Sequence, residues 1–127
     1  MSLAIQMQTA ANEGPGVVTV QLAGSLNTST APELERQLTV VLAGPVQNMV
    51  FDLARLKFVS SAGLRIFSTI RKTLKDRGGQ ASFVNLQPQI EIVFEVMKSL
   101  PGVAVYKDSA ALDRYLALLQ SDRPKNP

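Results

Sequence analysis

Along this chain the apolar period switches repeatedly between two residues and about 3.6 residues, and that alternation limits the fold more than any single residue does. "LAIQMQ" alternates apolar with polar positions, and after the turn-forming "NEGPG" comes the β-branched run "VVTVQLAG", so the two read as a hairpin. Leu34, Leu38 and Val41 then recur at helical spacing until Gly44-Pro45. Thr30 and Glu33 have the spacing of a capping box, and Pro32 is tolerated in a first turn. "NMVFDL" has the short continuous apolar run of a strand covered on both sides, and Asp52 falls near its end.

Further on, Leu64, Phe67, Ile70 and Leu74 share a helical face, and Gly78-Gly79 closes that helix. "ASFVNL" reads as the next strand. Past Pro88, Ile90, Val93, Phe94 and Met97 predict another helix, which Pro101-Gly102 breaks. "VAVYKD" is a short last strand, and Ser109 is placed to cap a final helix striped by Leu112, Tyr115, Leu116 and Leu119.

The expected order is therefore ββαβαβαβα, an α/β fold in one domain over 1–127. A hairpin followed by alternating helices and strands predicts a mixed, mostly parallel β-sheet with about four α-helices. The ordered core is expected over about 3–119, with a polar tail over 120–127. In sheets of this kind functional loops gather at the carboxyl ends of the strands.

What the chain lacks narrows the chemistry. With no histidine and no cysteine it has no Ser-His-Asp triad, no thiolate nucleophile and no histidine metal cluster, so the reading is not an enzyme and no cofactor or metal is expected. The net charge of +3 is spread among acidic residues, and 6% aromatics with no tryptophan argue against a nucleic-acid surface. No apolar run nears the roughly 20 residues that span a bilayer, and "MSLAIQMQTA" has neither a basic start nor an apolar leader core. A cytoplasmic protein is expected, and the absence of cysteine fits a reducing compartment. Asp52, Asp76, Asp108 and Asp113 are dispersed and read as solvated or capping residues, Met7, Met49 and Met97 as core filler, and Arg71, Lys72 and Lys75 as a solvated face.

One junction stands out. In "FDLARLKFVSSAGLRIF" a buried strand passes through a short basic stretch into an amphipathic helix, with Ser60 and Ser61 between them. Serines favour such positions for capping alone, and Ser60 is the expected cap. Ser61-Ala62-Gly63 matches half of a G-x-S-x-G nucleophile elbow, but Val59 stands where the first glycine belongs and there is no histidine base. Lys57, the residue that would have to act as a base instead, reads as an exposed loop lysine.

"FVSSAGLRIF" preceded by "FDLARL", together with "GSLNTSTAPELERQL", resembles the STAS domain family, the sulfate transporter and anti-sigma factor antagonist domains, and specifically its free-standing bacterial antagonists. The resemblance spans nearly the whole chain and implies the same element order. It further implies binding to an anti-sigma factor that is also a serine kinase, with phosphorylation ending the binding. Matched by Gly63, the phosphoacceptor falls on Ser61. Two departures remove negative charge near it: the family often has an acidic residue where this chain has Ser60, and an aspartate where it has Asn27.

The expected partner surface comprises Asn27, Ser60, Ser61, Gly63 and Arg65. Physical reasoning suits such a switch to a helix start. A phosphate there meets unpaired N–H groups and the positive end of the dipole, so the fold survives while about −1.5 to −2 charges appear on the docking surface. The alternative is a STAS adaptor subunit of a lipid or anion transport assembly, with no phosphorylation switch. A monomer or weak dimer fits either reading.

Overall fold

The structure is a computed structural model that describes residues 2–9, 16–99 and 109–120. Its elements are β1 (Leu3–Thr9), β2 (Val17–Leu26), α1 (Ala31–Leu42), β3 (Asn48–Val59), α2 (Ser61–Asp76), β4 (Gln80–Val84), α3 (Pro88–Ser99) and α4 (Ser109–Gln120). The expected turn over 12–15, the break at Pro101-Gly102, the last strand over 103–108 and the tail beyond 120 lie outside the described residues, as do the Met97 and Leu112 side chains.

The sheet runs β1-β2-β3-β4, with β1 antiparallel to β2 and the other two neighbour pairs parallel. This is the mixed, mostly parallel sheet expected of a hairpin followed by helical crossovers. Register carries the core across it: Met7 pairs with Val20, Val20 with Phe51, and Phe51 with Phe83. Phe51, Phe67, Phe83 and Phe94 form one aromatic cluster that ties β3 to α2, β4 and α3, with ring centroids 5.1 to 5.9 Å apart. Edge-to-face and offset geometries of this kind add to the burial of the rings.

Two sequence expectations change in β3. The strand does not stop near Asp52 but continues through "ARLKFV" to Val59, so Lys57 is an exposed strand residue rather than a loop residue. Nor is it covered on both sides. Met49, Phe51 and Leu53 are buried, whereas Val50 and Asp52 are half-buried and Ala54 is exposed, on the face shared with Gln6 and Gln21. The apolar run is continuous because Val50 adds a branched residue to the open face.

The capping box is also absent. Thr30 occupies the N-cap of α1 but its hydroxyl makes no cap hydrogen bond; it donates to the Ser25 carbonyl at 2.8 Å. Glu33 turns instead to Arg36 at 2.6 Å and to Gln37 at 2.7 Å, and the Arg36 contact above all holds its carboxyl down to about 2. A bidentate arginine competes better for a carboxylate than one backbone N–H does.

α2 is the helix that matters for the site, and both its faces follow from sequence. Leu64, Phe67, Ile70 and Leu74 are buried, while Arg65, Arg71, Lys72 and Lys75 are exposed. Its end is fixed by a glycine in the left-handed region, Gly78 at φ 84°. The Gly78 N–H donates to Lys75 O and the Gly79 N–H to Leu74 O, the paired bonds of a Schellman motif.

Candidate functional site at the start of α2

Parallel pairing places the ends of β2 and β3 side by side, with Leu26 opposite Val59. The Ser60 N–H then donates to the Leu26 carbonyl at 2.8 Å, so the turn after β2 and the junction before α2 become neighbours. Asn27 and the two serines, far apart in sequence, are for this reason placed at the same end of the sheet, Asn27 following the residue that Ser60 bonds.

Asn27 organises its own turn. Its side-chain oxygen accepts the Ser29 and Thr30 N–H groups at 2.9 and 3.1 Å, and its carbonyl accepts the Thr30 and Ala31 N–H groups. That is the Asx arrangement that launches α1, and it occupies the acceptor that a free amide would otherwise offer. Arg65 stands exposed one turn into α2 and, with Thr28, Glu35, Ala62 and Thr69, lines a cleft of about 260 Å³ between α1 and α2.

Gly63 is explained from the inside. A Cβ on it would lie 2.7 Å from Leu26 Cδ2 and from Val59 Cγ2, so the first turn of α2 sits directly on the two strand ends. The close approach seats the serines low: Ser60 is 4% exposed and Ser61 is 3% exposed.

The capping of α2 differs from expectation. Ser60 has the extended N-cap backbone, at φ −97° and ψ 179°, but its side chain makes no cap hydrogen bond. Its Oγ is buried and has no hydrogen-bond partner among the described residues. The cap comes from elsewhere: the Ser61 N–H donates to Asp113 Oδ1 of α4 at 2.7 Å. A carboxylate at this end of a 16-residue helix also meets the positive end of its dipole. The second contact from α4 is Gln120, whose side-chain amide accepts the Val59 N–H and donates to the Val59 carbonyl, both at 2.8 Å.

Sequence reasoning reads Asp113 as solvated or capping without saying what it caps, and places Gln120 at the start of the tail. No local spacing links either residue to the serines. The amphipathic stripe of α4, with Leu116 buried between them, is the available signal.

A small α/β domain with its conspicuous loops at the carboxyl ends of parallel strands is the class this geometry defines. The STAS domain family model matches residues 8–112, and the chain belongs to that family. BtrV of Bordetella bronchiseptica, named as a candidate anti-sigma factor antagonist, is 33% identical over 98 residues, covering 76% of this chain and 84% of BtrV. Among solved structures, the anti-sigma factor antagonist SpoIIAA in its unphosphorylated form superposes with a TM-score of 0.66 at 20% identity, over 88% of this chain and 96% of that one. The phosphorylated form of SpoIIAA, a Bacillus cell fate determinant, gives 0.62 at 20% identity, over 88% and 99%. These structures share the fold of this chain. No helix among the described residues is long and apolar enough to cross a membrane.

Proposed function

We propose that this protein is an anti-sigma factor antagonist: it binds an anti-sigma factor that is also a serine kinase, and phosphorylation of Ser61 ends the binding. The observation that carries this reading is the place of Ser61, the first residue of α2 at the motif position that Gly63 marks, beside the turn of Asn27 and one turn before the exposed Arg65. The name of BtrV supports it at the level of function, and family membership supports the matching of the motif.

The mechanism follows from charge. Transfer of a phosphoryl group to the Ser61 hydroxyl replaces its proton and adds about −1.5 to −2 charges at pH 7. The partner then has to desolvate or repel that charge on docking, which weakens a complex formed around Asn27, Ser60, Ser61, Gly63 and Arg65. The α2 dipole stabilises the same charge locally, so the fold tolerates it. Binding responds and folding does not.

The test is release of the partner by ATP. The tagged protein is used to isolate its anti-sigma factor from the host, and ATP with magnesium is added to the washed complex. The wild type is expected to leave the complex carrying a phosphate on Ser61, and Ser61→Ala to stay bound. Release of both alike, or a phosphate at another residue, overturns the assignment of Ser61.

A further inference from the structure

β1 is an edge strand: among the described residues nothing pairs with the side of it turned away from β2. Edge strands are ordinarily guarded against further pairing by a charge, a proline, a bulge or a very short length. β1 has none of these. Its 7 residues, LAIQMQT, carry no charge and no proline, and they pair with β2 without a register shift. Which backbone groups it leaves open follows from one bond: the Ser25 N–H donates to the Ser2 carbonyl at 3.0 Å, while Leu3 lies opposite Gly24. Antiparallel ladders alternate, so Ala4, Gln6 and Gln8 turn their N–H and C=O groups to β2, whereas Leu3, Ile5, Met7 and Thr9 turn theirs outward. Side chains alternate in step. Ala4, Gln6 and Gln8 are exposed on the open face of the sheet, and Leu3, Ile5 and Met7 are half-buried against the core.

This edge is complementary to itself. In an antiparallel pair about a two-fold axis at Gln6, Leu3 faces Thr9 of a second copy and Ile5 faces Met7, so each outward N–H meets an outward carbonyl. Gln6 faces Gln6 across the axis, in a non-hydrogen-bonded pair where side chains come closest, and the two amides can bond each other. Ile5 and Met7 carry the apolar layer from one copy to the next, and no charges of like sign are opposed. Moving the axis to Ile5 or to Met7 keeps the phase but leaves two residues of β1 outside the ladder. We propose that the protein pairs with a second copy of itself through β1, joining the two sheets into one with Gln6 on the two-fold axis. The contact is a single pair of 7-residue strands, so the dimer is weak and depends on concentration. It leaves α2 clear. Ser2 and Leu3 lie beside the end of β2 that leads to Asn27, so antiparallel pairing sends the two Ser61 positions to opposite ends of the joined sheet.

Sedimentation of the full chain tests the pairing. The weight-average mass is expected to rise from one chain toward two between roughly 10 µM and 1 mM. Gln6→Lys and Gln6→Glu each set like charges face to face on the axis, and each is expected to weaken association about tenfold or more. Gln6 is exposed, so the fold accommodates both. Mixed in equal amounts, the two variants are expected to associate at least as strongly as the wild type, because lysine then faces glutamate. A single-chain mass of the wild type throughout, variants that associate as the wild type does, or no recovery on mixing would each overturn the proposal. None of these readings involves a kinase or Ser61, so they stand apart from the test of the switch.

Discussion

The Asp113 carboxylate accepts the Ser61 N–H at 2.7 Å across 52 residues of chain. A helix start that local sequence gives to a serine cap is therefore held by a tertiary one. The adjacent Ser60 hydroxyl is buried without a partner among the described residues, so the two side chains have opposite energetic signs.

Asp113→Ala is expected to cost about 0.5–2 kcal/mol, the range for loss of an N-cap acceptor. Ser60→Ala is expected to be neutral or to stabilise by about 1 kcal/mol, because it removes a buried hydroxyl that has no hydrogen-bond partner among the described residues. Urea unfolding of the two variants checks both signs. A cost for Ser60→Ala equal to that of Asp113→Ala would return the cap to Ser60.

Gly63→Ala tests the seating of α2. Alanine is the better helix former by about 1 kcal/mol, yet its Cβ would meet Leu26 and Val59 at 2.7 Å. Overpacking of this kind costs about 1–3 kcal/mol, so a net loss of stability is expected. Adding Leu26→Val, which shortens one of the two obstructing side chains, is expected to make the effect of Gly63→Ala smaller. Stability equal to or above the wild type in Gly63→Ala alone would contradict the close approach.

Arg77 joins two connections that no sequence pattern pairs. Its guanidinium donates to the carbonyls of Leu42, Gly44 and Val46, at 2.5, 3.1 and 3.0 Å, and so ties the end of α1 to the end of α2. Arg77→Lys keeps the charge and loses the planar fork, so it is expected to unfold at lower urea than the wild type, by about 1 kcal/mol or more. A midpoint unchanged by the substitution would show that these bonds contribute nothing net.

Asp52 gives the acid dependence. Its carboxyl is held below the ordinary 3.8, chiefly by the Ala54 N–H at 3.1 Å and next by the Asn85 amide at 3.2 Å. With the folded value below the unfolded one, this stabilisation is fully present above about 4 and is lost as pH falls through the folded value. Urea midpoints measured from pH 6 downward are expected to fall less steeply in Asp52→Asn than in the wild type. Identical slopes would remove Asp52 from the acid response.

The order of strands and helices is legible because each element carries its own period, and Leu64, Phe67, Ile70 and Leu74 of α2 are all buried as their spacing predicts. β3 departs from its reading where that period breaks. Its pairing with β2 shifts between Gln21 and Ala23 and again between Gly24 and Ser25, so β3 spends two extra residues and its alternation slips through "ARLKF". Thr30 and Glu33 show the other kind of failure, in which a correct spacing meets stronger competitors in Ser25 and Arg36. Of the site, the serines are legible as a strand-to-helix junction, while the role of Asp113 is not, since a contact between distant elements leaves no spacing to read.

The most direct test of the central claim is intact-mass measurement and peptide mapping of the protein isolated from its own host, wild type beside Ser61→Ala. The account predicts one phosphate, confined to Ser61 and absent from the variant. An unmodified Ser61 across several growth conditions would contradict the switch and favour the constitutive adaptor.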